Sequence, residues 1–328
     1  MKREIAFILI IIFAILVIAI TPFIGSVKIP LSTLKDINLA SGEGQILYSL
    51  RLPRVLTAFL AGAALACCGV ALQAMFKNPL ATPFTLGISS GAAFGAAVYV
   101  IFVTWLSFFC GSIAFSFAGS LAAVFLVYSL TRIKKGFSIS TILLAGVVVN
   151  FFFSSLILLL QYISDFTQSF MIIHWLMGSI DVTGYSVPIS MLVFTLTGIV
   201  IIFSQSSKLN LMCISDEIAI ARGVDVKTTR KIIFFATSIM VAGVVAFCGP
   251  IGFVGLMAPH ICRLLVGYDH KILTPAAILF GGAFLTLCDC VARTIIAPAE
   301  MPVGVITALL GGPFFVWLLL KDTEKSGI

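Results

Sequence analysis

The sequence predicts an all-helical membrane protein that crosses the bilayer about ten times. The chain of 328 residues is 60% hydrophobic and only 10% charged, and its mean hydropathy is +1.18. A soluble domain of this length could not keep so much apolar surface from water. Uncharged apolar runs of about twenty residues also recur, and that is the length of a helix that crosses the hydrocarbon core. We therefore expect residues 1–328 to form one transmembrane domain, with no soluble domain.

The expected spans follow one another with few long connections. The run at 5–24 is too long for the apolar part of a signal peptide, and no small-x-small cleavage site follows it, so we expect it to remain as the first span. Residues 78–131 carry no charge and are too long for one helix, so we expect a division near 105–111. Gly249-Pro250 should end the seventh span and leave a short eighth piece. The spans after the first are expected at 55–76, 84–104, 111–131, 139–160, 186–205, 232–249, onward to about 265, 273–295 and 302–320.

A polar segment at 208–231 separates the sixth span from the seventh. Ser215 is a plausible N-cap, and the acidic residues after it suit the first turn of a helix. Gly223 suits a left-handed stop, after which Asp225 can cap a second helix. On local sequence alone, this segment is either a contact for a soluble partner or an ordinary charged loop. A second polar segment, at 161–185, is expected on the opposite side of the membrane.

The distribution of basic residues predicts the orientation in the membrane. With the N-terminus inside, five of the twenty Lys and Arg residues lie outside and the remaining fifteen inside. This bias places both termini and the polar segment in the cytoplasm. It also accounts for the net charge of +7, which therefore does not indicate nucleic acid. The five outer residues are Lys28, Lys35, Arg51, Arg54 and Arg293.

Cysteines and glycines have a packing interpretation. Most of the eight cysteines fall inside apolar runs, so we expect small packing residues and not disulfides. Cys288 and Cys290 lack further ligands at metal-site spacing, and we expect no metal there. Gly87, Gly91 and Gly95 recur every four residues and should leave one helix face bare for close approach of a neighbour.

The sequence lacks two widespread motifs of nucleotide-binding and metal-dependent enzymes. It contains no G-x-x-x-x-G-K-[ST] phosphate loop and no H-E-x-x-H. We therefore expect no catalytic residue and no energy source within the chain. Asp289 should pair with Arg293, one helical turn later. The alternative is a proton relay at Asp289 in a stand-alone carrier or channel, which would require that residue for transport.

Several long stretches resemble the FecCD-type permeases of ABC importers, the family that takes up ferric siderophores, haem and cobalamin. The resemblance implies ten spans, a second copy or a paralogue around a central path, and the inner membrane of a prokaryote. It also implies two cytosolic ATPases that hold ATP and magnesium, so that this chain needs no cofactor, and an extracytoplasmic binding protein. The similar stretches are residues 51–96 (from RLPRVLTAFLAG), 249–271 (GPIGFVGLMAPHICRLLVGYDHK), 292–320 (from ARTIIAPAEMPVG) and SDEIAIARGV within the polar segment.

The same resemblance implies roles for particular residues. The polar segment should form the helices that couple to the ATPase, through Ser215, Asp216, Glu217, Ala221, Arg222 and Gly223. The turn before the fifth span should form a cytoplasmic gate, through Ser138, Ile139 and Ser140. The binding protein should dock on Arg51, Arg54 and Arg293, although anchoring of the helices is an alternative role for these arginines. A ferric siderophore is the expected cargo, with haem, cobalamin and molybdate as alternatives within the family.

Overall fold

The computed structural model describes residues 2–25, 27, 29–30, 42–102, 111–133 and 138–326, and these residues form helices and short connections. Lys28, Lys35 and the predicted division at 105–111, apart from Gly111, lie outside this description. Fourteen α-helices are present within the described ranges. They are α1 (Lys2–Ile20), α2 (Gly42–Gln45), α3 (Leu52–Phe76), α4 (Ile88–Phe102), α5 (Ser112–Ile133), α6 (Ile139–Ile163), α7 (Phe166–Leu176), α8 (Ser186–Ser204), α9 (Ser206–Ile214), α10 (Asp216–Ala221), α11 (Val226–Cys248), α12 (Val254–Val266), α13 (His270–Ala292) and α14 (Val303–Ser326).

The apolar helices correspond to the predicted spans, and the all-helical membrane fold is confirmed. Among the described residues, seven helical segments are long and apolar enough to cross a membrane, and α4, α12 and the first part of α14 are shorter apolar helices. The short eighth span is α12, and five residues, beginning with the Gly249-Pro250 break, separate it from the end of α11. Two further helices, α7 and α9, lie in stretches for which only polar connections were predicted.

Helix α3 lies at the centre of the bundle and is buried along most of its length. It packs against α8, α11, α12 and α13. Small residues permit this crowding, because a Cβ at Gly62 would overlap the carbonyl oxygen of Gly281 in α13. A Cβ at Gly69 would likewise overlap the carbonyl oxygen of Gly255 in α12. The backbones of three helices therefore meet directly.

The predicted glycine face of α4 is confirmed at two of its three positions. A Cβ at Gly91 would overlap the carbonyl oxygen of Gly119, and one at Gly95 would overlap that of Phe115, so α5 lies directly on this face. Gly87 is different, because it precedes α4 and has a φ of +72°. It closes the short 3-10 turn at Pro83–Leu86, where a left-handed residue is needed.

Candidate functional site

The polar segment contains the short helix α10 and the start of the long helix α11, and both begin at the caps that the sequence predicted. The Ser215 hydroxyl accepts a hydrogen bond from the amide of Ile218 at 2.9 Å and so caps α10. Gly223 has a φ of +80° and ends that helix. The Asp225 carboxylate accepts a hydrogen bond from the amide of Thr228 at 3.0 Å and caps α11. Three local signals therefore define the conformation of this segment.

One face of α10 is anchored and the other is open. Ala219 is fully buried and packs with Met212 of α9 and Val226 of α11 in a small apolar cluster. Ile218 and Ile220 are 42% and 62% exposed, and the predicted coupling residues Glu217, Ala221, Arg222 and Gly223 are exposed as well. Exposed branched apolar side chains on a short helix within a polar segment favour contact with another protein.

Asp216 joins α10 to two membrane helices. Its Oδ1 lies 3.0 Å from Nζ of Lys77, directly after α3, and its Oδ2 lies 2.6 Å from Nη2 of Arg230 in α11. Partial burial by itself raises the pKa of Asp216, but the ion pairs with Lys77 and Arg230 outweigh burial, and the pKa lies below its ordinary value. The carboxylate is therefore ionised at neutral pH. The sequence gives no local sign of the contact with Lys77, which is distant along the chain.

Asp289 is the centre of an ion-pair cluster at the other end of the bundle. It is fully buried, and its two oxygens accept hydrogen bonds from Nε of Arg54 at 2.9 and 3.1 Å. Nε of Arg293 lies 3.8 Å from Oδ2, as the helical spacing predicted. Arg54 also binds the exposed carboxylate of Glu300 at 2.5 Å. The internal ion pair is therefore confirmed, although the shorter contact comes from α3.

The three arginines predicted for docking lie together and bind groups of their own chain. Arg51 donates to the carbonyl oxygens of Pro22 and Val27 at 3.0 and 2.5 Å, and Arg293 donates to that of Thr21 at 2.7 Å. Arg51 and Arg293 are buried. All three, with Glu300, line one cavity of about 410 Å³. This geometry supports the anchoring alternative, and docking of a partner remains a prediction.

The predicted gate lies at the start of α6. The Ser138 hydroxyl accepts a hydrogen bond from the amide of Thr141 at 3.3 Å and caps the helix. Ile139 packs against the main apolar core, and Ser140 is exposed. A capping serine beside a packed isoleucine gives a rigid helix entry, and a gating role for these residues remains a prediction.

The described residues include no group of three or more His, Cys, Asp and Glu side chains that could hold a metal ion. Cys288 and Cys290 are buried in α13, where they pack among neighbouring helices. Among the cysteines within the described ranges, Cys213 is exposed and the others are buried free thiols.

Comparison with known proteins agrees with the fold. Residues 9–321 match the sequence model of the FecCD transport family. The chain is 36% identical to the hemin transport system permease protein HmuU of Yersinia pestis, over 92% of this chain and 91% of that protein. It is 38% identical to the molybdate import system permease protein MolB of Haemophilus influenzae, over 92% and 88%. A solved structure of an ABC transporter, inward-facing and provisionally classed as metal-chelate type, superposes with a TM-score of 0.83 at 33% identity, covering 97% of this chain and 99% of that one.

Proposed function

Because the chain belongs to the FecCD transport family and is a multi-pass permease of an ABC importer, we propose that it passes a ferric siderophore into the cytoplasm. ATP hydrolysis takes place on two partner subunits, which hold the ATP and magnesium. A second permease copy or a paralogue completes the path. An extracytoplasmic protein delivers the cargo.

The observation that carries this proposal is the exposed face of α10. The helix is short, capped at its start and held to α9 and α11 by the buried Ala219. A partner that closes against Ile218 and Ile220 therefore displaces α10 together with the packed ends of α9 and α11, and not a flexible loop. ATP-driven closure of a partner dimer can tilt membrane helices through such a contact.

The apolar surface of α14 favours a metal chelate over a bare ion as the cargo. From Val303 to Leu320 the chain has no charged residue. The start of α14 lines a cavity of about 540 Å³ together with Leu176, Met177 and Pro250. A bare oxyanion such as molybdate requires hydrogen-bond donors or cations in place of its water shell, whereas a chelate carries its metal inside an organic shell. We infer that this cavity lies on the cargo path, where an organic shell suits the apolar lining better than an oxyanion does.

The docking and gating residues complete the proposal. In the cluster of Arg51, Arg54 and Arg293, an acidic side chain of the binding protein replaces the exposed Glu300 on Arg54. The buried Arg51 and Arg293 hold the surrounding backbone in place for this contact. Arg–carboxylate pairs suit such recognition because they can be bidentate. Ser138, Ile139 and Ser140 close the cytoplasmic end of the path.

Uptake by reconstituted vesicles tests the proposal. The permease is purified with the ATPase and binding protein encoded beside it and inserted in proteoliposomes. Uptake of iron-55 hydroxamate, haem, cobalamin and molybdate is then compared with and without ATP. We expect ATP-dependent uptake of the iron hydroxamate above the other three.

Two outcomes would contradict different parts of the proposal. Preferential uptake of haem, cobalamin or molybdate would refute the siderophore assignment and leave the importer intact. Uptake by the permease alone, without ATP or ATPase, would instead support a stand-alone carrier. In that case transport should require Asp289, the buried acid of the outer cluster.

A further inference from the structure

The carboxylate of Asp216 bridges two cations that belong to different membrane helices. Lys77 follows the last residue of α3, and Arg230 lies in the second turn of α11. Each oxygen of Asp216 faces one of these cations, at 3.0 and 2.6 Å. Charge-assisted contacts on both oxygens restrict the movement of α10 relative to α3 and α11.

The lysine in this bridge is held at a fixed place. Lys77 has a left-handed backbone with a φ of +50°, which is uncommon for a residue other than glycine. Its amide donates to the carbonyl oxygen of Ala74 at 3.3 Å, and the next amide, of Asn78, donates to that of Gln73 at 3.1 Å. These bonds close the end of α3. The backbone from which the Lys77 side chain reaches Asp216 is therefore part of the end of α3, and a displacement of Asp216 that keeps this ion pair acts on α3.

A second polar link begins one turn earlier in α3. The Gln73 amide nitrogen donates to the carbonyl oxygen of Gly255 at 3.3 Å, and its oxygen accepts from Nη2 of Arg263 at 2.5 Å. Both partners lie in α12. Gly255 also lies close to Gly69, where the two backbones touch. The cytoplasmic end of α3 is therefore joined to α10 by charge and to α12 by hydrogen bonds and packing.

We propose that Asp216 is a positioning residue that transmits the displacement of α10 to α3 through Lys77, and onward to α12 through Gln73. This inference rests on the proposed function, because an ATPase must move α10. Gln73, Lys77 and Arg263 line a cavity of about 720 Å³ together with Trp317 and Leu318 of α14. The link therefore connects the site of ATPase contact with a helix that borders the proposed path. An alternative role for the bridge is to stabilise the folded loop without transmitting movement.

The number of cargo molecules taken up per ATP hydrolysed distinguishes these two roles. The assembled transporter in proteoliposomes is compared as wild type, Asp216→Asn, Lys77→Gln, the double variant and the conservative Asp216→Glu. Lys271→Gln, an exposed lysine at the start of α13, controls for loss of a positive charge on the same side. A purely stabilising bridge would change the yield or thermal stability of the complex and leave uptake per ATP unaltered.

We expect Asp216→Asn and Lys77→Gln each to lower uptake per ATP by about three- to fivefold, as loss of a partly exposed ion pair allows. The double variant should be no worse than Asp216→Asn, because both changes break one link. Asp216→Glu should keep most of the coupling, and Lys271→Gln should match the wild type.

Several results would overturn the link. These are unchanged uptake per ATP in folded Lys77→Gln, or losses that multiply in the double variant. If Asp216→Asn does not assemble, the uptake per ATP of Lys77→Gln alone tests the link. This variant should fold, because the Lys77 side chain is 35% exposed and its replacement does not change the burial of α3. A wild-type complex that takes up no cargo with ATP overturns the proposed function. A wild type that takes up cargo with ATP, together with variants whose uptake per ATP equals that of the wild type, overturns only the role of Asp216.

Discussion

Replacing Asp289 with Asn should destabilise the permease strongly without abolishing transport by the protein that remains folded. Asp289 is fully buried and faces two arginines, with Nε of Arg54 at 2.9 Å and Nε of Arg293 at 3.8 Å. Removing one charge from a buried ion pair costs about 3–5 kcal/mol, because the remaining charges stay desolvated. Asn keeps one acceptor oxygen, and Arg54 keeps Glu300. We therefore expect the lower end of this range, about 3 kcal/mol.

Glu300→Gln is the matched control, since it removes the other carboxylate that binds Arg54. Glu300 is 56% exposed, and an exposed ion pair contributes at most about 1 kcal/mol. The assay is the thermal unfolding midpoint of both variants in one detergent. An unfolding entropy of about 2.1 cal/mol/K per residue over 328 residues converts about 3 kcal/mol into a midpoint lowered by about 4 °C, and the control should lower it by about 1.5 °C or less.

Equal midpoints for the two variants would refute this reasoning, because the buried carboxylate would then contribute no more than the exposed one. Uptake per folded molecule separates structure from transport. An importer driven by a partner ATPase retains uptake in Asp289→Asn, whereas a carrier with a proton relay at Asp289 loses it.

Three further predictions concern the polar segment. In a variant with Cys110, which lies outside the described residues, replaced by Ser, Cys213 should be labelled by a membrane-impermeant maleimide in inside-out vesicles and not in right-side-out vesicles. The reverse labelling pattern would show that the predicted orientation is inverted. The pKa of Asp216 lies below its ordinary value of 3.8, so its ion pairs are complete above that value and are lost only as the pH falls through the lowered pKa. Uptake per ATP should therefore be constant from pH 8 to about pH 5.5. A decline within that range with the profile of a titrating carboxylate would contradict the assignment. Gly223→Val should reduce uptake per ATP because a β-branched residue is strained at a φ of +80°, although the space around it is open; normal coupling in the folded variant would show that this conformation is not needed.

The sequence predicted the polar segment well because its conformation depends on neighbours along the chain. Ser215, Gly223 and Asp225 each act within three residues, through a cap or a left-handed stop. The same holds for Arg293, four residues after Asp289 on one helix. Such contacts follow from helical geometry alone.

Contacts between distant parts of the chain were not predictable in this way. Arg54 and Asp289 are 235 residues apart, and their pairing depends on how α3 packs against α13. The burial of Arg51 against the carbonyl of Pro22 has the same origin. Charge counting placed these arginines on one side of the membrane, but it could not show that their guanidinium groups bind their own chain.

Helices α7 and α9, which were not predicted, differ in how strongly the sequence indicates them. Helix α7 begins with a capping box, in which the Asp165 carboxylate and the Gln168 amide each bind the other's backbone, so its start was recognisable from the D-x-x-Q spacing. Helix α9 has no side-chain cap at its start. Its sequence gives a weak helical signal, and packing of the buried Leu209 and Met212 stabilises it.

The most direct test of the central claim is whether α10 recruits an ATPase. The wild type and an Ile220→Asp variant, which places a charge on the exposed face of α10, are expressed with the neighbouring ATPase gene and purified in detergent. We predict that the ATPase co-purifies with the wild type and is lost from the variant, while both permeases show the same thermal unfolding midpoint. Retention of the ATPase by Ile220→Asp, or a folded wild type that purifies alone and transports without ATP, would contradict this account.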